Sequence, residues 1–384
     1  MKISGITPRL GSVAEVISTL QPDYPVHCLN RSRLQQAARQ FLDDFPGDTL
    51  YAVKCNAHPI VLQELNRAGI SHYDVASDHE INLVNAYCPG ATLYYHHPAK
   101  TASSIKWAYD KAHVRYFAVD CIEELKKVLA NTGTTAKITV RMAVPQDNSV
   151  YDLSTKFGAP PALAKDLIAY AADQGRKVGI TFHVGSQCLH PVAYGNAMRI
   201  AMYVSQQTGV EFAFLDIGGG FPGYYQTTTA PPWSDYFSAI KAASDDLLAG
   251  TSTKLLCEPG RALVYAAGSL LTQVVLRNED KVYINDGIFG GLAEVYWGGD
   301  ALHLPVTVHR PGGTVDERLK PLTVYGPTCD GNDVLPYTVN LPVDLQDNDW
   351  IEFANVGAYG REMATSYNGL KSEELVIIED FITA

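Results

Sequence analysis

The sequence predicts an α/β protein in which a (β/α)8 barrel is followed by a β-rich domain. Between residues 26 and 265, short apolar runs alternate with amphipathic helical stretches, as in repeated βα units. After residue 265 the apolar runs continue without helical stretches between them. The 384 residues also exceed the size that one hydrophobic core commonly supports. We therefore expect a barrel domain over residues 26–265, and a β-sandwich or β-barrel domain formed by residues 1–25 and 266–384.

Eight apolar runs each provide one strand of the predicted barrel, and helical periodicity fills the intervals between several of them. The predicted barrel strands are 49–55, 72–76, 92–96, 116–120, 137–144, 179–185, 212–217 and 254–258. The predicted helices include 59–68, 78–86, 122–130, 161–174 and 191–208. For the second domain we expect an antiparallel sheet or a small barrel. Its predicted strands are 269–276, 281–284, 304–308, 320–325, 349–353 and 374–378, with 24–29 as a further strand that leads into the barrel.

The composition narrows the function classes. A hydrophobic content of 46% and a charged content of 18% indicate a soluble globular protein. The net charge of −11 argues against nucleic-acid binding and is compatible with a cationic substrate, although an acidic surface kept for solubility is the simpler explanation. The seven cysteines are widely spaced without a CxxC pair, which favours reduced thiols over disulfides or a metal site. No apolar run approaches the roughly 20 residues of a membrane helix, so we expect a cytoplasmic protein that binds no membrane.

Lys54 lies at the carboxyl end of the first barrel run, within YAVKCN. In a (β/α)8 barrel the carboxyl ends of the strands carry the catalytic groups. A partly desolvated lysine amine at such a place loses the stability of its charged form, its pKa falls, and it can form an imine with an aldehyde. A lysine that ends a strand is more commonly a solvated residue, so this interpretation depends on the other strand ends.

The last two barrel runs lead into segments suited to holding an anion. Run seven leads into Gly218 to Gly220, whose backbone N–H groups can approach a phosphate with no Cβ in the way. Run eight leads into EPGR at 258–261, which supplies a carboxylate and a guanidinium. Barrel enzymes commonly hold phosphate in the loops after strands seven and eight. Taken separately, a tight turn and a surface ion pair would explain the two motifs.

Three further strand ends carry ionisable side chains. Asp74 lies near the end of run two, Arg141 lies in run five, and His183 lies near the end of run six. A charge inside an apolar strand needs an internal partner or a ligand, whereas a lone histidine is more commonly a satisfied core residue. Together with Lys54 and Glu258, these residues would bring ionisable groups to one end of the barrel, which indicates a ligand-binding site there.

The motifs YAVKCN, HVGSQ, DIGGGFP, EPGR, GPTCDGND and NVGAY occur in this order along nearly the whole chain. In this combination the chain resembles the fold-type III pyridoxal-phosphate-dependent decarboxylases, the ornithine and diaminopimelate decarboxylase family, and within it the bacterial ornithine and ornithine/lysine decarboxylases. The resemblance implies an alanine-racemase-like barrel with pyridoxal 5′-phosphate as the cofactor. It also implies a homodimer whose active sites are shared between the subunits.

The resemblance implies a role for each matching residue. Lys54 would bond covalently to the cofactor aldehyde, Glu258 would pair with the pyridine nitrogen, and His183 would stack on the ring. Cys329 and Asp330 would enter the site from the partner subunit, where Cys329 protonates the former α-carbon and Asp330 binds the distal amine. The expected catalytic residues are Lys54, Cys329, His183 and Glu258. The expected cofactor-binding residues are Lys54, Asp74, Arg141, His183, Ser186, Gly218, Gly219, Gly220, Glu258, Gly260, Arg261 and Tyr359.

The resemblance implies decarboxylation of a basic L-amino acid, ornithine first and lysine next, to a diamine and carbon dioxide, as in polyamine biosynthesis. The expected substrate-binding residues are Asp330, Glu294 and Tyr359. Ornithine decarboxylases of the eukaryotic type carry a second aspartate near the distal amine, and Gly298 stands at that position here. Glu294 is the candidate to replace it, so a related specialised amino acid with an amine group stays open as the substrate.

Two other functions share the same motifs. A catalytically silent homologue that binds a partner would have no reason to keep Lys54, Glu258 and Cys329, so these residues argue against it. An amino-acid racemase would share the barrel and the cofactor. It would need a second base opposite Lys54 and an arginine at the pyridine nitrogen, and a carboxylate at Glu258 fits decarboxylation better.

Overall fold

The computed structural model describes residues 7–145, 149–151 and 155–380 and forms two units, which we describe separately. Unit 1 comprises Met1–Gln36, Gly223–Thr228 and Val264–Ala384, and unit 2 comprises Ala37–Pro222 and Thr229–Leu263. Residues 26–36 therefore belong to unit 1, although the sequence boundary at residue 26 placed them with the barrel. The reason is that the strand at 26–30 pairs within the sheet of unit 1.

The strands and helices of the described residues are numbered in chain order. Strands β1 to β19 are Arg9–Ser12, Val26–Asn30, Asp48–Ala52, His72–Val75, Thr92–Tyr95, Tyr116–Val119, Lys137–Met142, Ser149–Tyr151, Val178–Phe182, Ser186–Cys188, Phe214–Asp216, Lys254–Cys257, Gly268–Asn278, Lys281–Ile284, Val306–His309, Leu319–Tyr325, Val339–Pro342, Trp350–Ala354 and Leu375–Asp380. Helices α1 to α12 are Val13–Leu20, Arg31–Asp44, Pro59–Arg67, Asp78–Tyr87, Ala102–Asp110, Ile122–Asn131, Pro161–Asp173, Val192–Thr208, Trp233–Leu247, Arg261–Val264, Ala293–Gly298 and Gly360–Met363.

Unit 2 contains the predicted barrel. Strands β3, β4, β5, β6, β7, β9, β11 and β12 close in this order, and every pair is parallel. Most residues of these strands are buried, as expected where both faces of a parallel strand are covered. Inside the barrel, Leu50, Tyr94, Phe214 and Leu256 pack into one cluster. The fold-class prediction of a (β/α)8 barrel is confirmed.

The barrel strands end earlier than the apolar runs from which we predicted them. The run 49–55 forms a strand only at Asp48–Ala52, and Val53–Cys55 makes a single 3₁₀ turn. The run 179–185 ends as a strand at Phe182, and the run 137–144 ends at Met142. Strand pairing stops while the chain stays buried, so apolar character continues into the loops. As a result, Lys54 and His183 lie on loops just beyond the strands.

Unit 1 contains a mixed sheet, whereas we expected an antiparallel sheet or a small barrel. Its strands follow the order β1-β19-β2-β13-β14-β16-β17, while β18 pairs with β13 and β15. The pairs β1/β19, β19/β2 and β14/β16 are parallel. Helix α1 connects β1 to β2, which is the kind of connection that parallel strands need. The predicted strand 24–29 is present as β2, within this sheet.

One face of this sheet packs against α1. The hydrophobic cluster there consists of Val13, Val16, Ile17, Val26, Cys28, Leu271, Trp350, Val376 and Ile378. Ser12 caps the helix by accepting a hydrogen bond from the Glu15 N–H. None of the helices in the described part of the chain has the length and apolar character that a membrane crossing requires.

Candidate active site

Lys54 and Asp74 form an ion pair at the carboxyl ends of two neighbouring barrel strands. Strands β3 and β4 pair in a register that places Ala52 opposite Asp74, and Lys54 follows Ala52 by two residues. The Lys54 Nζ lies 2.9 Å from the Asp74 Oδ2, with 49% of the lysine side chain and 4% of the aspartate side chain exposed. Burial raises the pKa of Asp74, and Lys54 opposes that rise. The lysine amine is thus held in place while it stays accessible to a ligand.

Glu258 follows β12 and contacts a histidine that the sequence analysis did not select. Its Oε1 lies 2.5 Å from the Nδ1 of His96, and both side chains are largely buried. The same nitrogen lies 3.4 Å from the Asp216 Oδ2, and the His96 Nε2 lies 3.1 Å from the hydroxyl of Thr139. His96, which follows β5, therefore contacts one residue from each of three other parts of the barrel: the end of β11, the loop after β12 and the middle of β7.

The signal that could have identified His96 and Asp216 is the same one that identified Asp74. Asp216 is the last residue of β11, and His96 directly follows β5. Both are ionisable residues at the carboxyl end of a barrel strand. Thr139 carries no comparable signal, because it lies in the middle of β7. Its contact with His96 follows only from closure of the barrel.

His183 follows β9 and is neutral. Burial lowers its pKa to about 3, and the charges of Arg141 and Lys54 act in the same direction. Its Nδ1 accepts a hydrogen bond of 3.0 Å from the Gly185 N–H, so Nε2 carries the proton of the neutral ring. A neutral imidazole has an uncharged face on which an aromatic ligand can stack.

The three glycines after β11 are required by their close packing. A Cβ at Gly218 would lie 2.1 Å from the carbonyl oxygen of Phe182, and a Cβ at Gly220 would lie 2.4 Å from that of Gly185. Gly218 and Gly220 also adopt φ values of +67° and +97°, which other residues rarely adopt. The Asp216 Oδ1 accepts a hydrogen bond of 2.9 Å from the Gly218 N–H, which holds the start of this loop.

Gly219 packs between the imidazole of His183 and the loop after β12. A Cβ there would lie 3.2 Å from the His183 Nε2 and 2.7 Å from the carbonyl oxygen of Glu258. A side chain at this position would collide with the loop after β12 and press on the imidazole. Gly219 is therefore required by close packing, as Gly218 and Gly220 are.

Arg261 and Ser186 lie near each other at the same barrel end. The Arg261 Nη2 is 3.4 Å from the Ser186 hydroxyl, and Arg261 is buried. Gly260, just before Arg261, packs so closely that a Cβ on it would lie 3.0 Å from the Cβ of Cys55. The loop after β12 thereby packs directly against the turn that carries Lys54. The structure thus brings the predicted site residues of unit 2 to one end of the barrel. Arg141, in β7, is near enough to His183 to lower the pKa of that imidazole.

The remaining predicted site residues lie in unit 1. Cys329 is exposed, Asp330 is half-buried, and both lie in the connection between β16 and β17. The Cys329 N–H donates to the Asn368 Oδ1 at 3.1 Å, and the Cys329 Sγ lies 3.9 Å from the Tyr367 hydroxyl. Glu294 is a buried residue of α11. Tyr359 precedes α12 in the left-handed backbone region, with φ of +58°.

Comparison with known proteins identifies the family. A family model described as "Pyridoxal-dependent decarboxylase, pyridoxal binding domain" matches residues 31–265. The chain belongs to the pyridoxal-dependent decarboxylases. One relative is a lysine/ornithine decarboxylase of Selenomonas ruminantium, which is 35% identical to this chain over 86% of the chain and 83% of the relative.

Solved structures of pyridoxal-dependent decarboxylases share the fold along nearly the whole chain. The lysine/ornithine decarboxylase of Vibrio vulnificus complexed with cadaverine has a TM-score of 0.82 and 29% identity, covering 97% of this chain and 100% of that chain. The arginine decarboxylase of Paramecium bursaria Chlorella virus has a TM-score of 0.86 and 26% identity, covering 95% of this chain and 99% of that chain. The expected family and barrel fold are thereby confirmed.

The chemistry at the barrel end fits pyridoxal phosphate, the cofactor of this family. An accessible amine suits an aldehyde, a buried carboxylate suits a protonated pyridine nitrogen, and a neutral imidazole suits an aromatic ring. The glycine loop and the Arg261 guanidinium suit a phosphate. These five groups lie at the carboxyl ends of the barrel strands, where barrel enzymes place their active sites.

Proposed function

We propose that the protein decarboxylates a basic L-amino acid, with ornithine as the first candidate and lysine as the second, to give a diamine and carbon dioxide. The observation that carries the proposal is the Lys54–Asp74 ion pair at the same barrel end as the buried Glu258. An amine, a carboxylate and a neutral imidazole in this arrangement suit a cofactor that serves as an electron sink. The proteins named lysine/ornithine and arginine decarboxylases among the relatives support a basic substrate.

One group of residues would hold the aldehyde and the ring of the cofactor, and a second group would hold its phosphate. In the barrel, Lys54 would bond to its aldehyde carbon, Glu258 would hold the protonated pyridine nitrogen, and His183 would cover one ring face. Pyridoxal phosphate, when bound, takes up the electron pair left behind as carbon dioxide departs. The residues assigned to the phosphate are Ser186, Gly218, Gly219, Gly220, Arg261 and Tyr359. Asp74 would orient the amine of Lys54, Gly260 would keep the adjoining loop close to it, and Arg141 would lie near the pyridine edge.

Cys329 and Asp330 would act on the substrate rather than on the cofactor. Both lie in unit 1, with Cys329 exposed and Asp330 half-buried, and we propose that they enter the active site of a partner subunit in a homodimer. The Cys329 thiol would supply a proton to the former α-carbon. The Asp330 carboxylate would accept hydrogen bonds from the distal ammonium of the substrate, a charge-assisted contact that selects for a second amine at a fixed distance.

Substrate choice between ornithine, lysine and a specialised amine-bearing amino acid depends on the residues around Asp330. Gly298, the last residue of α11, supplies no carboxylate for the distal amine. Glu294 lies one helical turn earlier in the same helix and is the proposed replacement. Tyr359 is the third residue that we assign to the substrate.

The proposed setting is the cytoplasm, with polyamine biosynthesis as the process that uses the diamine. All seven cysteines are free thiols, five of them buried. Free thiols persist most readily in a reducing compartment. A diamine is the direct product of decarboxylating ornithine or lysine.

A carbon dioxide release assay tests the proposal. Purified protein with added pyridoxal phosphate is incubated separately with L-ornithine, L-lysine, L-arginine and diaminopimelate, and the products are resolved by chiral chromatography. We expect ornithine to give the fastest release and Lys54→Ala to abolish it. Lys241→Ala, which removes an exposed lysine paired with Asp245, is the matched control and should retain wild-type activity.

Three outcomes would contradict the proposal. No release from any substrate would favour a silent partner-binding homologue. Inversion of the substrate without release would favour a racemase. Unchanged release by Lys54→Ala would remove Lys54 from its assigned role.

A further inference from the structure

We propose that His96 is a positioning residue that keeps Glu258 ionised, so that this carboxylate can hold the protonated ring nitrogen of the cofactor. The proposal rests on the role given to Glu258 under the proposed function. The family resemblance assigns no role to His96. It emerges from the contacts of the imidazole at the barrel end.

Both nitrogens of His96 face oxygen atoms. The Nδ1 lies 2.5 Å from the Glu258 Oε1 and 3.4 Å from the Asp216 Oδ2, and the Nε2 lies 3.1 Å from the Thr139 Oγ1. An imidazolium donates from both nitrogens, so this arrangement satisfies the charged form completely. His96 is 6% exposed and Thr139 is fully buried, so water does not compete for these contacts.

The carboxylates around His96 explain why Glu258 stays ionised only beside a positive charge. Glu258 and Asp216 approach the same nitrogen, and two carboxylates that share a buried site cannot both ionise without a compensating charge. Burial raises the pKa of Glu258, Asp216 raises it further, and His96 opposes the rise. Without the imidazolium, Glu258 would take up a proton and could no longer accept a hydrogen bond from a protonated pyridine.

Burial and the neighbouring carboxylates act in opposite directions on the pKa of His96. Burial alone would lower its pKa, but Glu258 and Asp216 outweigh burial and raise the pKa to about 10. Its charge therefore persists throughout the neutral range. The titratable groups that the neighbouring strands and loops place around this pair are Lys54, Asp74, Tyr94, Asp216 and Cys257.

Asp216 links this cluster to the phosphate side of the site. Its Oδ1 holds the N–H of Gly218 while its Oδ2 faces His96. The imidazolium thus offsets the charge of the carboxylate that anchors the glycine loop as well as that of Glu258. A single side chain supports both ends of the proposed cofactor site.

Two substitutions separate the charge of His96 from its shape. His96→Asn places an amide N–H near the position of Nδ1, so it keeps a donor toward Glu258 and removes the charge. His96→Gln places its amide nearer to Thr139 and removes both the charge and the donor toward Glu258. The matched control is His309→Asn, which breaks a histidine–glutamate contact of 3.2 Å with Glu352 in unit 1.

The first measurement is cofactor affinity, obtained by titrating cofactor-free protein with pyridoxal phosphate at pH 6, 7 and 8. We expect His96→Asn to weaken binding about tenfold at pH 6, the scale of one charge-assisted hydrogen bond. The deficit should shrink toward pH 8, because Glu258 then ionises without help. His96→Gln should show the larger deficit, and His309→Asn should bind as the wild type does. A deficit that is equal at all three pH values would mean that His96 only fills space, and it would overturn the proposal.

The second measurement needs no cofactor. Carbon-13 NMR of protein labelled at the glutamate carboxyl carbons follows the Glu258 signal, assigned by its loss in Glu258→Gln. We expect this signal to report a carboxylate at pH 6 in the wild type and a carboxylic acid in both His96 variants. A carboxylate in all three proteins would overturn the proposal even if one variant binds cofactor poorly. If wild-type protein binds no pyridoxal phosphate, the proposed function fails, and this titration still decides the role of His96.

Discussion

Asp333 holds together the loop that carries Cys329 and Asp330. Its Oδ2 accepts hydrogen bonds from the N–H and the hydroxyl of Thr328 at 3.0 and 2.7 Å, and its Oδ1 accepts one from the Ile288 N–H at 3.1 Å. Asp333 is 3% exposed. One buried carboxylate therefore joins the turn before Cys329 to the loop after β14.

The loss expected for Asp333→Asn can be worked from these three contacts. An asparagine keeps one acceptor oxygen and turns an NH2 group toward donors, so one or two buried donors lose their acceptor. Each unsatisfied buried donor costs about 1–3 kcal/mol, so one or two of them give a loss of about 1–6 kcal/mol in the free energy of unfolding. Gly287 and Gly326 leave no room for relaxation, because a Cβ on either would lie 2.2 Å from the Asp333 Oδ1.

Urea unfolding and the alkylation rate of Cys329 measure the two consequences. We expect a lower free energy of unfolding and a changed alkylation rate at Cys329, the exposed cysteine. Asp280→Asn is the control, since its aspartate is 76% exposed and pairs with Lys320, and its effect should stay within about 0.5 kcal/mol. If Asp333→Asn lost no more stability than Asp280→Asn, the carboxylate would not hold the loop.

Two further predictions concern unit 1. Cys329→Ala should slow diamine formation and divert protonation from the α-carbon to the aldehyde carbon, which product chromatography would show as a carbonyl by-product. Cys121→Ala, which removes a different thiol, is the control. An unchanged product ratio in Cys329→Ala would refute the role of Cys329. Burial raises the pKa of Asp286 to about 7, against about 4 in an unfolded chain, so its charge destabilises the fold increasingly as pH rises from 4 through 7. Asp286→Asn should therefore raise the free energy of unfolding by about 1–3 kcal/mol at pH 8 and by much less at pH 5, and equal effects at both pH values would contradict this explanation.

The sequence predicted those parts of the fold that depend on local patterns. Apolar runs separated by helical stretches indicate a parallel barrel, and consecutive glycines indicate a loop such as Gly218 to Gly220. The strand order of unit 1 was harder to predict from the sequence. Strands β1 and β2 both pair with β19, which lies at the other end of the chain. A strand pattern indicates burial of its faces and does not specify its partner, so the parallel pairs were not expected.

The same limit explains why Glu258 was predicted and its environment was not. A carboxylate after an apolar run is visible in the sequence, but its partner His96 lies 162 residues away and meets it only when the barrel closes. Closure of the barrel also decides the charge state of Glu258, because Asp216 and Glu258 then approach the same nitrogen of His96. The protonation of a buried carboxylate depends on all charges around it, and these come from strands distant in sequence. The identity of a site residue can thus be inferred from local pattern, whereas its protonation state requires the three-dimensional arrangement.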